Sequence, residues 1–212
     1  MAAPIALPIF PLPDLAFFPH TMLPLHIFEA RYRAMITDCL ARDKRLAVVG
    51  LRPGYEAGYE GKPPVYPITG VGRIVQWERL ASGRYNLLLR GEARARIDRE
   101  LPADTLYRMV AATPLDETGA TNPAVPGLAG RVKARCRQIL SAVGRSGADL
   151  QATVEALDQP GELCDHVASA LVSTPALRQA LLEELDVERR LERLAAALDD
   201  LLSQLTGEGG RA

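Results

Sequence analysis

Apolar residues follow two different rhythms in the two halves of this chain. The cleanest period of two runs through residues 92–98, where Ala93, Ala95 and Ile97 face one way and Glu92, Arg94, Arg96 and Asp98 the other. That alternation belongs to a strand with one covered face. The same rhythm is read over 71–80, with Val71, Val75 and Trp77 on one side, and it resumes at Tyr85, Leu87 and Leu89 after the turn residues Ala81, Ser82 and Gly83. Gly91 interrupts the run and marks a bulge or a sharp bend. Short apolar runs at 46–51 and 106–112 predict two more strands. Residues 5–10 predict a strand closed by Pro11 and Pro13, at an edge or at its end, because proline cannot donate to a ladder. A second extended stretch covers 22–26. One helix breaks this β-rich half: over 27–42, Phe28, Tyr32, Met35, Ile36, Cys39 and Leu40 make a single stripe.

Beyond residue 115 the period lengthens to between three and four. Residues 116–127 (DETGATNPAVPG) are polar and rich in turn formers, so they are read as a linker between a β-rich subdomain, 1–115, and a helical bundle, 128–212. Helices are predicted at 132–143, 150–157 and 162–172. Thr174 before Pro175 is a helix start, a hydroxyl N-cap followed by proline at the first helical position. Asp186 caps the last helix, in which Leu191, Leu194, Leu198, Leu201 and Leu205 step by three and four. The fold class that follows is α+β, with the two structure types segregated along the chain.

Composition narrows the function more by exclusion than by assignment. The net charge of −1 supplies no broad positive field for phosphates, which argues against a nucleic-acid partner. The average conceals 15 Lys/Arg against 11 Asp/Glu in residues 1–115. Cys39, Cys136 and Cys164 form no CxxC pair, which points to a reducing, cytoplasmic setting. No apolar run approaches the length of a membrane span, so no membrane role is expected. The nearest relative of a phosphate-binding loop, Gly61-Lys62, has Glu56 where the first glycine belongs and Pro63 in place of Ser/Thr. GxSxG is absent. His20, His26 and His166 lack ligand spacing, so no metal or other cofactor is expected and no enzyme signature is recognisable.

Two apolar features do invite a functional reading. The loop between Asp14 and Met22 carries Leu15, Phe17 and Phe18; it is either core tucked under the sheet or a docking surface for apolar peptide segments, together with Met22. Trp77 divides the same way, into a groove anchor or packing.

Three motifs, in order, resemble one family. LPIFPLPDLAFFPHTMLPLHIFEARYRAMI (7–36), GVGRIVQWERLASGRYNLLLRGEARARI (70–97) and GELCDHVASALVSTPALRQALLEELDVERRLERL (161–194) are similar to the N-terminal substrate-binding domain of Lon proteases. Ala30 and Ala95 depart from it, standing where proline and a bulky aromatic are usual. The resemblance implies a PUA-like β-pseudobarrel with one internal helix, followed by a helical bundle. It also implies a stand-alone, non-catalytic module whose partner is unfolded or exposed apolar polypeptide. His26, Glu29, Arg31 and Tyr32 match the family signature and are read as a structural strand-to-helix junction. The competing reading, RNA binding on the PUA-like surface, requires Arg73, Arg84, Arg90, Arg94 and Arg96 to cluster.

Overall fold

The alternating half of the chain becomes a sheet that closes on itself. The computed structural model describes residues 3–58, 61–143 and 148–208. It contains two compact units, Met1–Asp116 and Glu117–Ala212. The first holds β1 (Ile5–Leu12), β2 (Met22–Ile27), α1 (Ala30–Leu40), β3 (Arg45–Gly50), β4 (Ile68–Arg79), β5 (Tyr85–Leu101) and β6 (Met109–Leu115). Strand order is β2-β5-β4-β3-β1-β6, and β6 pairs back onto the far half of β5. Five strands thereby make a ring, and β2 is left as a flap on the near half of β5.

Closure depends on β5, 17 residues long, serving two sets of neighbours. Its first half lies between β2 and β4, its second between β4 and β6. A register shift beside Gly91 gives the strand the bend it needs. Inside the ring sit Leu7, Ile9, Ala47, Val49, Val71, Ala95, Val110 and Ala112. Three alanines among them suit a narrow barrel, and Ala95, 0% exposed, is one of these fillers. The alternate residues face a second core, where Tyr32, Met35, Ile36 and Cys39 of α1 cover Leu46, Val48, Ile74, Leu87 and Leu89. Between β4 and β5, the Gly83 N–H donates to the Leu80 carbonyl, and Gly83 itself takes φ +76°. This is the turn that a three-residue hairpin loop with a terminal glycine makes.

Several boundaries differ from the sequence reading, each for a local reason. β1 runs on through Pro11 to Leu12 and lies within the sheet. It tolerates Pro8 and Pro11 because residues 5–8 pair only with β6 and residues 9–12 only with β3, leaving one side open at every position. Helix α1 starts at Ala30, since pairing of Ile27 with Tyr85 holds that residue extended. Phe28 therefore leaves the expected stripe and is 62% exposed. A bulge between Ile74 and Gln76 puts Ile74, not Val75, in the core. Arg94, expected on the open face of β5, is 2% exposed.

In the second unit, α2 (Val125–Val143), α3 (Ala148–Ala156), α4 (Pro160–Leu171), α5 (Pro175–Glu183) and α6 (Val187–Glu208) form the bundle. Helix α2 begins inside the stretch read as linker, and Thr118 there bridges to Asp186. Helix α6 packs along α2 and α4 and buries Leu191, Leu194 and Leu198 completely. Burial on that scale is worth about 2 kcal/mol per leucine. Asp186 caps α6 by accepting the Arg189 N–H at 3.2 Å, whereas Thr174 makes no side-chain cap bond and α5 relies on Pro175 at its start. The fully buried Arg190 of α6 donates to Glu117 and to the Glu184 carbonyl, with Asp165, also 0% exposed, 3.7 Å away.

Candidate functional site

The loop from Asp14 to Thr21 belongs to the core. Phe17 and Phe18 are 3% and 0% exposed, and Leu15 is half-buried against the same cluster. Three glycines on the sheet allow this. A Cβ at Gly70 would collide with the Phe17 carbonyl, one at Gly72 with the Phe17 ring, and one at Gly91 with the Phe18 carbonyl. With no side chains in the way, the loop backbone lies flat on β4 and β5. The His20 N–H donates to Gly91 at 3.0 Å, the Gly91 N–H donates to Thr21 at 2.9 Å, and the Thr21 hydroxyl donates to the Phe18 carbonyl at 2.7 Å. Phe17 and Phe18 are therefore corrected from docking residues to packing residues.

Met22 and Trp77 are the two predicted residues that reach solvent, 48% and 46% exposed. Both stand on the three-stranded ribbon of β2, the first half of β5 and the end of β4. Register places Met22 opposite Arg90 and Pro24 opposite Leu88, on the outward face. Trp77 lies opposite Leu87, on the alternate face, where the Lys44 ammonium sits 4.3 Å from its ring centroid. An open groove of about 370 Å³ runs across this ribbon, bordered by Pro24, Gln76, Trp77, Glu78, Asn86 and Leu88. The five predicted site residues thus divide into three that pack and two that border a surface.

A second concavity, about 580 Å³, lies beside the start of α1 and the loop after β5, and is lined by Arg31, Tyr32, Glu100, Leu106, Arg108 and Met109 among others. Leu106 on its rim is 71% exposed. Neither Leu106 nor Phe28 was found from the sequence as a surface residue. A helix start at Ala30 would have released Phe28, but no local signal separated that start from one at Ile27.

The signature residues hold one another. Glu29 takes two bonds from Arg31, Nε at 3.0 Å and Nη2 at 2.9 Å, and the Arg31 guanidinium lies 4.7 Å over the Tyr32 ring. His26 Nδ1 meets Asn86 Oδ1 at 2.7 Å, joining β2 to β5.

Electrostatics keep each perturbed group in its ordinary resting state. Burial pushes the Cys39 thiol up to about 12, helped by Asp43 and Asp38. Burial and the hydrogen bond to Asp38 push the Tyr107 phenol to about 12 as well. Burial would raise Glu92, but bonds from Arg73 at 2.6 Å and Arg45 at 2.9 Å outweigh it and hold the carboxyl low. Glu100 is likewise held low, its burial outweighed by Arg108 and Lys62. General acid–base chemistry needs shifts toward neutrality, opposite to all four. The arginines of the RNA reading are dispersed by the same pairs: Arg73 is committed to Glu92, Arg96 to Asp98 at 3.1 Å, and Arg94 is buried, while Arg84 and Arg90 are exposed.

Comparison with known proteins sets this geometry in a family. A family model for the ATP-dependent protease La (LON) substrate-binding domain matches residues 6–200. Lon protease 2 of Myxococcus xanthus is 29% identical over 197 residues, which cover 92% of this chain and 24% of that protein. A Lon protease of Desulfosudis oleivorans is 26% identical over 202 residues, 95% of this chain and 25% of that one. The chain spans about a quarter of the length of these curated relatives. Among solved structures, the N-terminal domain of the Mycobacterium avium complex Lon protease superposes with a TM-score of 0.72 at 24% identity, covering 94% of this chain and 98% of that one. A Lon N-terminal domain protein from Xanthomonas campestris gives 0.66 at 24% identity, covering 91% and 98%. Identity that low speaks for the fold; the family match, which takes in the strands and helices of both units, speaks for descent. By that match over residues 6–200 the chain belongs to the Lon substrate-binding domain family.

Proposed function

We propose that this chain is a non-catalytic module that binds unfolded or exposed apolar stretches of polypeptide on the β2–β5–β4 ribbon. The observation that carries this reading is the open groove beside Pro24, Leu88 and a half-exposed Trp77. Removing roughly 100 Å² of apolar surface at such an anchor from water supplies about 2.5 kcal/mol. Contiguous exposed apolar surface is a mark of docking sites.

Side chains rather than backbone make the contact. β2 is the edge of the sheet, where a partner strand could add. The Gly91 N–H to Thr21 carbonyl bond sets the phase of the ladder, so polar groups of residues 21, 23 and 25 turn toward β5 and those of 22, 24 and 26 turn outward. Pro24 lacks the donor at the centre of that outward row, which discourages strand addition. A non-enzymatic role agrees with protonation states that stay away from neutrality at Cys39, Tyr107, Glu92 and Glu100. Ion pairing of Arg73 and Arg96, together with burial of Arg94, speaks against an RNA surface. Among the described residues no helix is long and apolar enough to cross a membrane. Free, buried cysteines at 39, 136 and 164 suit a reducing compartment such as the cytoplasm.

Trp77 is the single tryptophan of the chain, so the proposed surface carries its own reporter. Titration with a water-soluble, permanently unfolded polypeptide bearing apolar stretches is expected to shift its emission to the blue and to saturate near about 10 μM, an affinity worth roughly 7 kcal/mol. Leu88→Lys weakens that binding at least about tenfold, or 1.4 kcal/mol. A labelled polypeptide whose anisotropy stays flat well above that concentration overturns the reading.

A further inference from the structure

The ribbon has a second face, turned away from the groove. Trp77 and Arg79 lie opposite Leu87 and Tyr85, whose side chains belong to the core that α1 covers, so this side of the hairpin runs along the flank of α1. Three cations gather on that seam. The Lys44 ammonium, just past the end of α1, lies 4.3 Å from the centroid of the Trp77 ring, and the Arg79 guanidinium lies 6.0 Å from that of Tyr85. Arg33 reaches the hairpin turn from α1: its Nη1 is 3.1 Å from where a Cβ on Gly83 would lie, and its buried Nε has no hydrogen-bond partner. Thr37, one helical turn on from Arg33, ties helix to strand; its hydroxyl donates to the Arg33 carbonyl at 2.9 Å and meets the Tyr85 hydroxyl at 3.0 Å.

The carboxylates around this seam are engaged elsewhere. Asp38 accepts the Tyr107 hydroxyl, Asp43 accepts the Arg45 N–H at 3.2 Å, and Glu92 is shared by Arg45 and Arg73. Glu78 borders the groove on the opposite face, and the hairpin from Arg79 to Gly91 contains no acid. Among the described residues Arg33, Lys44 and Arg79 make no ion pair, and none of them lines the groove.

We propose that the seam between α1 and the β4–β5 hairpin docks an acidic segment of a partner polypeptide, on a surface separate from the groove and independent of it. Cations that lack a counter-charge within the fold are satisfied by carboxylates from outside, and the planar guanidinium of Arg33 suits a carboxylate well. The aromatic rings decide the class of partner. A nucleic-acid strand binds by stacking successive bases on open rings. Here Lys44 takes a face of Trp77, Arg79 takes one of Tyr85, and Tyr85 is only 4% exposed, so no run of open rings remains. The rings instead hold the cations in place, which reduces the freedom lost when a carboxylate settles.

Anisotropy titrations of the full chain with short, labelled, soluble peptides test this. The peptides alternate serine with glutamate, glutamine or lysine, and a thymidine oligonucleotide of matched length is the fourth probe. At about 50 mM salt the glutamate peptide is expected to bind at or below about 100 μM, at least about tenfold more tightly than the glutamine peptide, while the lysine peptide does not saturate. At about 500 mM salt the glutamate peptide loses at least about tenfold. Lys44→Gln and Arg79→Gln, checked for unchanged melting curves, each weaken it about threefold and together about tenfold. Arg99→Gln, at an exposed arginine on the far half of β5, leaves it unchanged. Equal binding of the glutamate and glutamine peptides overturns the proposal, as does a preference that both variants leave intact. An oligonucleotide that binds more tightly than the glutamate peptide sinks it too. Arg79→Gln is expected to leave apolar polypeptide binding at the groove unaltered, so the two surfaces stand or fall separately.

Discussion

In the β-rich unit Met22, Phe28, Trp77 and Leu106 stand between 46% and 71% exposed, while among the described residues of the helical unit Val143 alone of the large apolar side chains reaches 46%, Leu191, Leu194 and Leu198 of α6 are sealed, and the guanidinium of Arg190 is buried. The two units thus differ in how much apolar surface they leave open and in whether an ion pair is fully buried. Unit one leaves apolar surface open and keeps most of its ion pairs, such as those of Glu92 and Glu100, near solvent. Arg94 is its exception. Unit two closes its apolar seam at Leu191, Leu194 and Leu198 and buries an ion pair in which both Arg190 and Asp165 are 0% exposed, alongside exposed pairs such as Arg137 with Glu155. A buried pair of this kind adds little net stability over a well-packed apolar replacement, but breaking it is costly, because one charge is stranded without water. The contrast fits the binding proposed above, since the β unit is the one that carries the larger share of exposed apolar side chains.

Stability measurements on single variants put that contrast under the greatest strain. Arg190→Met keeps the packing volume and removes the guanidinium that faces Glu117 and the buried Asp165; the expected loss is about 3–5 kcal/mol, read from urea unfolding of the helical signal. A loss below about 1 kcal/mol would mean that the cluster is dispensable and the two units do not differ in this respect. Next in size is a matched pair within the β unit. Phe18→Ala opens a cavity under the sheet and costs about 3–5 kcal/mol, whereas Trp77→Ala, at the rim, costs less than about 1 kcal/mol. If the order of those two melting temperatures reversed, Trp77 would be core and the groove would lose its anchor.

Much of this was legible before any coordinates. The strands and the helices appear at nearly the positions that their periods of two and of three to four predict, because each element has one covered face and the pattern records it. What escaped depended on contacts between distant residues. Phe17 and Phe18 could be packing or docking until Gly70 and Gly91 were seen beneath their carbonyls, and nothing in the loop itself announces those glycines. Val75 and Ile74 exchanged roles through a one-residue bulge, which shifts the faces of a strand without altering its composition. Arg94 looked solvent-facing because alternation alone placed it with Arg96, yet Arg94 is 2% exposed while Arg96 is open to solvent, though both pair with β4 and β6. Of the surface, the sequence left Trp77 open between anchor and packing, and its exposure and the groove beside it emerge only once the strands are paired.

The smallest effect tests the solvent-facing half of the contrast. Glu92 is 20% exposed at its side chain and ties β5 to Arg45 of β3 and Arg73 of β4. Burial alone would raise its carboxyl, and the two arginines more than reverse that, so its folded value lies below the ordinary one. A carboxyl depressed in this way stabilises the fold above its unfolded value, near 4.3, and the benefit disappears as the pH falls through the lower folded value. At pH 7 Glu92→Gln should therefore be less stable than the parent by about 1 kcal/mol, the scale of a partly solvated pair. The gap should narrow steadily between about pH 5 and pH 3 as the parent's own carboxylate is protonated. It should also shrink with added salt, because Arg45 and Arg73 are more than a third exposed, 39% and 35%. A gap that is large, unaffected by salt and constant with pH would instead describe an interior ion cluster like that of Arg190, and the β unit would then hold its charges just as the helical unit does.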